Sequence, residues 1–168
     1  MAACKGRCRV VVELKSYGHD QHLEEKVVEI VEAAGMADDC IFMSLDRAMV
    51  HKMKELRPAW TSGLLVAEAM GDLTKLDADF YAVRAPLATR RFVRRVHAEG
   101  RQVYVWTVND PAWMLSAMSR GVDGLITDVP DIAREVVGKR AGMSDAERAM
   151  VALIVRLGAR PETLGPEQ

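Results

Sequence analysis

Residues 103–128 (VYVWTVNDPAWMLSAMSRGVDGLITD) constrain the fold more than any other stretch of this chain. Val103 to Val108 is a short apolar run rich in β-branched and aromatic residues, the pattern of a buried parallel strand. Asn109-Asp110-Pro111 then supplies a helix cap and a proline where the first helical turn tolerates one. Met114, Leu115 and Met118 follow at helical spacing, and Gly121 stops the helix. Gly124 to Thr127 reads as the next strand, with Asp128 at its end. A strand, a helix and a second strand in so few residues leave a right-handed βαβ crossover as the natural solution. Thr107, Asn109, Thr127 and Asp128 then gather where strands give way to helices, the edge at which α/β folds bind ligands.

The same alternation runs through the chain. Strands are expected at Arg9–Leu14, Cys40–Leu45, Trp60–Val66 (core Gly63–Val66) and Asp79–Val83. Leu23, Val27, Ile30, Val31 and Ala34 form one helical face closed by Gly35. Asp46 caps a second helix with Met49, Val50, Met53 and Leu56 inside. Leu87–Glu99 is a helix with Phe92, Val93 and Val96 inside and a dense run of arginines (Arg84, Arg90, Arg91, Arg94, Arg95), read as a solvated face with an anion site as the alternative. Ile132, Ala133, Val136 and Val137 face inward from a helix after the sixth strand. Residues 1–8 read as frayed, 67–76 as an unassigned helix or loop, and 139–143 (KRAGM) as a hinge. Ser144 and Glu147 form a capping box that opens an amphipathic helix near 144–157. The tail from Arg160 reads as disordered. Six strand–helix alternations without a hairpin mean an α/β fold with a parallel sheet. The domain expectation is a barrel-like portion over 9–137 and an extension over 138–168.

Bulk properties narrow the function. A chain of 168 residues, 49% hydrophobic and 28% charged, is large enough to bury a core. A net charge of −1 gives no support for nucleic-acid binding. No apolar run approaches the roughly 20 residues of a membrane helix. The opening residues carry no apolar leader, which favours a cytoplasmic protein. Cys4, Cys8 and Cys40 lack the second ligand pair of a zinc site and read as reduced thiols.

Chemistry concentrates in few places. Glu13 and Lys15 lie two apart at a strand end, so they share a side of the strand. A carboxylate and an ammonium there can hold a divalent metal and a phosphate, or simply each other. His19 and His22 follow in a polar loop as acid/base or ligand candidates, against a plain solvated role. Trp106 is either a pocket wall or core. Asp46 and Asp128 are most simply helix caps. The chain has no Gly-rich phosphate loop, nucleophile elbow or HExxH motif.

Taken together, VVVELK (10–15), IFMSLD (41–46), VYVWTVND (103–110) and GVDGLITDVP (121–130) resemble the glycerophosphodiester phosphodiesterase family in order and spacing. The resemblance implies a TIM (β/α)8 barrel and hydrolysis of a phosphodiester to glycerol 3-phosphate and an alcohol. It implies a small-molecule phosphodiester substrate and a divalent metal, calcium or magnesium. It places Glu13 at a metal-ligand position, Lys15 beside the phosphate and Trp106 in the pocket wall.

The family's opening histidine–arginine–glycine motif, glutamate–asparagine pair and later histidine–aspartate motif have no match. The expectation is therefore an incomplete TIM (β/α)8 barrel of about six βα units plus a C-terminal amphipathic helix, with no catalytic residue assigned. A metal held by one carboxylate would be weak, since calcium takes about six to eight oxygens. The chain is then a metal-dependent phosphodiesterase impaired on its own. The alternative is a non-catalytic remnant that binds or oligomerises, self-associating through open sheet edges.

Overall fold

The computed structural model describes residues 3–18, 22–68 and 76–157. Its strands are β1 (Val10–Glu13), β2 (Cys40–Ser44), β3 (Ser62–Val66), β4 (Phe80–Arg84), β5 (Gln102–Trp106) and β6 (Gly124–Leu125). Its helices are α1 (Leu23–Ala34), α2 (Arg47–Leu56), α3 (Arg90–Ala98), α4 (Pro111–Ser119), α5 (Pro130–Gly142) and α6 (Asp145–Arg156). The strands follow one another in the sheet in chain order. The pairs β1–β2, β2–β3 and β5–β6 are parallel. This is the expected α/β class, an incomplete (β/α)8 barrel. The chain forms two compact units, residues 1–82 and 83–168.

In the first unit, β2 and β3 are buried at every position. A strand covered on both faces has no polar side to present, which is why CIFMS and SGLLV read as unbroken runs. Phe42 and Trp60 stack in the core, ring centroids 5.0 Å apart and 11° from parallel, among Leu14, Val28, Val31 and Met53. α1 ends at Gly35, whose φ of 59° is left-handed. Asp46 caps α2 as expected, its carboxylate accepting from the Ala48 N–H at 2.8 Å.

Residues 3–8 are not frayed. Lys5 Nζ donates to the Ala34 carbonyl at 2.6 Å, and the Gly6 N–H donates to Asp39 Oδ2 at 3.1 Å. The last carbonyls of α1 lack partners within the helix, and this turn supplies one.

Two ion-pair groups join α1 to α2. Arg57 Nε lies 2.6 Å from Glu32 Oε1, and Lys52 Nζ lies 2.9 Å from Glu25 and 3.3 Å from Glu24. The Lys52 ammonium holds the Glu25 carboxyl below its ordinary value, and the Arg57 guanidinium does the same to Glu32. A depressed carboxyl stabilises the fold above its unfolded pKa and loses that contribution as pH falls through the folded value. Thermal melts should therefore show Tm declining below about pH 4.3, the ordinary glutamate value. The double variant Glu25→Gln/Glu32→Gln should show a shallower acid limb. Identical limbs would mean that these pairs carry none of the decline.

One device fastens strand starts in both units. Asp79 precedes β4, and its Oδ2 accepts the Ser62 N–H of β3 at 2.8 Å while Lys54 of α2 meets Oδ1 at 2.6 Å. Asp123 precedes β6, and its Oδ2 accepts the Val103 N–H of β5 at 2.7 Å and meets His97 Nε2 of α3 at 2.9 Å. In each case the Asp N–H returns a bond to the carbonyl of the same strand residue, at 2.8 Å. A basic side chain near the end of a helix, Lys54 of α2 or His97 of α3, thus holds the carboxylate that starts a strand.

In the second unit, α3 starts at Arg90 rather than Leu87, because Thr89 caps it by accepting from the Phe92 N–H at 3.1 Å. α5 continues through most of the 139–143 stretch, to Gly142. Arg140 reaches the end of α4, donating to the Met118 carbonyl at 3.3 Å and to Ser119 Oγ at 3.4 Å. Of the four residues expected inside α5, Val136 is buried, whereas Ile132 and Val137 are exposed. The break falls at Met143, and the Ser144–Glu147 box forms reciprocally, with the Ser144 N–H to Glu147 Oε2 at 2.7 Å and the Glu147 N–H to Ser144 Oγ at 3.3 Å. α6 packs on α4.

Candidate functional site

In the first unit the site is built at the end of β1. Glu13 is the last strand residue, level with Met43 of β2. Its Oε1 lies 3.2 Å from Lys15 Nζ, with the Lys15 side chain 55% and the Glu13 side chain 31% exposed. The pair is open to solvent, where its Coulomb energy is small and both side chains remain available to a ligand. Between them Leu14 is buried. Its N–H donates to the Met43 carbonyl and its own carbonyl accepts from Ser44 Oγ, both at 2.8 Å. Ser44 Oγ also accepts the Asp46 N–H at 3.0 Å.

One buried hydroxyl therefore ties the end of β1 to the start of α2 and holds the backbone that presents Glu13 and Lys15. Sequence reasoning missed Ser44. Its only signal was a hydroxyl interrupting an apolar strand just before the capping Asp46.

His19 lies outside the described residues. His22 begins α1 and faces Glu25 at 3.6 Å. His51 and His97 also face carboxylates, Glu55 at 3.3 Å and Asp123 at 2.9 Å.

In the second unit the polar residues expected at the strand ends come together. Asn109 Nδ2 donates to Asp128 Oδ2 at 2.9 Å, and Asn109 Oδ1 accepts from the Asp128 N–H at 2.9 Å and from Thr127 Oγ1 at 3.0 Å. The side chain of Asn109 thus binds the loop after β5 to the loop after β6. Asp128 is not a helix cap; Val129 occupies that position of α5 without a side-chain bond. Asp110 does cap α4, accepting the Trp113 N–H at 2.9 Å. A cavity of about 370 Å³ opens here, walled by Thr107, Asn109, Asp110 and Trp113 among others. Trp106 ends β5 half-buried and is not in that wall, so the indole that lines the cavity is Trp113.

The fit to a divalent cation can be judged from the donors. Among the described residues no three His, Cys, Asp or Glu side chains are grouped to hold a metal ion. The one candidate carboxylate, Glu13, already faces an ammonium. Calcium takes about six to eight oxygens, so these residues by themselves do not fit it.

Parallel strands in chain order, helices between them and polar side chains at the strand ends define a protein of the (β/α)-barrel class. Residues 9–132 match the sequence model of the glycerophosphoryl diester phosphodiesterase family, and the chain belongs to that family. It is 22% identical over 129 residues to YhdW of Bacillus subtilis, which carries a glycerophosphodiester phosphodiesterase name; the match covers 73% of this chain and 53% of YhdW.

A glycerophosphodiester phosphodiesterase from Parabacteroides distasonis superposes with a TM-score of 0.71 at 24% identity, over 79% of this chain and 58% of its own. A phosphodiesterase from Oleispira antarctica, solved with its product sn-glycerol-3-phosphate, superposes with a TM-score of 0.64 at 21% identity, over 77% and 55%. The chain thus spans about half the length of these proteins. No helix among the described residues is long and apolar enough to cross a membrane.

Proposed function

We propose that this chain carries the phosphate-binding part of a phosphoric diester hydrolase acting on glycerophosphodiesters, the reaction that yields glycerol 3-phosphate and an alcohol. The observation that carries this is the family match over 9–132, which includes the end of β1 with Glu13 and Lys15. The solvent-open Lys15 ammonium neutralises a phosphate oxygen. Glu13 orients that ammonium and stands at the family's metal-ligand position.

Glu13 and Lys15 are read as binding groups, and no described residue is assigned to move a proton to the leaving alcohol. On this reading the chain by itself binds the substrate and is inactive or impaired in turnover.

The test is calorimetric titration of the 168-residue chain with glycerophosphocholine, followed by a hydrolysis assay with calcium or magnesium. Lys15→Ala should weaken binding about tenfold, the loss of one charge-assisted contact, and hydrolysis should stay near background. Rapid hydrolysis abolished by Glu13→Ala would show a complete site and overturn the slow-turnover part. A folded chain that neither binds nor hydrolyses would overturn the whole and favour a non-catalytic remnant.

A further inference from the structure

The helical side of the second unit holds a larger recess. Helices α3, α4 and α6 wall a groove of about 830 Å³. Arg90 and Arg94 enter it from successive turns of α3, four residues apart and so on one face. Arg120 enters from the end of α4. Trp113 and Leu153, 46% and 55% exposed, give the groove an apolar part.

The wall carries three guanidinium groups and no carboxylate. Arg120 is fixed: Nη1 donates to the Ala85 carbonyl and Nη2 to Ser116 Oγ, both at 3.0 Å. Burial, and then the charge of Arg90, push the Arg120 pKa down. Arg90 and Arg94 are exposed, and neither is held by a carboxylate among the described residues. Like charges this close are unfavourable until an anion joins them. Two members of the arginine run, Arg90 and Arg94, line this recess while remaining exposed.

We propose that this groove binds an organic phosphate bearing an apolar group, its phosphate on Arg90 and Arg94 beside the anchored Arg120 and its apolar group on Trp113 and Leu153. The guanidinium fork matches phosphate oxygens two at a time. An inorganic anion would leave the indole and Leu153 wet, and an uncharged apolar ligand would leave the cations unneutralised. The groove uses neither Glu13 nor Lys15, and it shares Trp113 with the cavity at the strand ends.

The test is calorimetry on the full chain with octyl phosphate below its micelle concentration, beside inorganic phosphate, octyl glucoside, and phosphatidylcholine vesicles with and without phosphatidate. Octyl phosphate should bind at least tenfold more tightly than either single-feature probe. Arg90→Ala/Arg94→Ala should weaken it at least tenfold, while Glu13→Ala leaves it unchanged.

Trp113→Ala should weaken octyl phosphate and leave inorganic phosphate unaffected; should that variant lose its far-ultraviolet circular dichroism, Leu153→Ser carries the same comparison. Equal affinity for inorganic phosphate, binding that survives the double arginine replacement, or binding only to phosphatidate vesicles would each overturn the proposal.

Discussion

Gly63→Ala should destabilise the first unit by about 3 kcal/mol or more, the upper range for overpacking a filled core. Gly63 lies within β3, where every residue is buried. A Cβ built there would collide with the ring of Phe80. Phe80 is 0% exposed, so its ring cannot swing aside into water. Either the ring leaves its rotamer or β3 and β4 separate, and both disturb the ladder. For a chain of this size the expected fall in Tm is about 6–12 °C. Adding Phe80→Leu to Gly63→Ala removes the collision and should recover part of the loss, giving a coupling energy well above zero. A Gly63→Ala protein that melts with the wild type would mean that the backbone yields easily here.

That collision was not legible beforehand. In the sequence Gly63 is one small residue in an apolar run, and nothing nearby says that an aromatic ring seventeen residues later crosses it. What could be read was local. CIFMS announces a buried strand, and Asp46 stands where a helix starts, whereas the Thr89 cap of α3 was missed. Glu13 with Lys15, and Asn109 with Thr127 and Asp128, could be named because strand alternation and βα order put them at strand ends.

Long-range bonds were invisible. The Asp79–Lys54 and Asp123–His97 clamps join residues 25 and 26 apart. Ser44 acts through a carbonyl 30 residues away. The helix runs through most of the 139–143 stretch because Lys139, Arg140 and Ala141 favour it and Arg140 finds its partners on α4, so the break comes only at Met143. The arginine run was legible as charge only; its geometry depends on Arg120, from another helix.

Phe42→Ala should cost about 3–5 kcal/mol, the usual range for emptying an aromatic from a core. Phe42 is 0% exposed and central to β2, level with Val12 of β1 and Ser62 of β3. Its N–H donates to the Thr61 carbonyl at 2.9 Å, and its ring is stacked on Trp60. Alanine keeps the backbone bond and removes the ring, so the loss is packing alone.

Trp60 would then lose its stacking partner, leaving the Arg57 guanidinium 6.0 Å from its ring centroid. Its fluorescence should shift to the red before the main unfolding transition. Phe42→Leu fills most of the volume and should cost less than about 1.5 kcal/mol. The consequence reaches the site, because β1 is aligned by β2 and Leu14 joins the same core. Loosening that core frees the strand end that holds Glu13 and Lys15. Phe42→Ala should therefore weaken glycerophosphocholine binding even at temperatures where the chain stays folded, while Phe42→Leu should not. Equal binding by both variants would show that the pair is held by β1 itself rather than by the core beneath it.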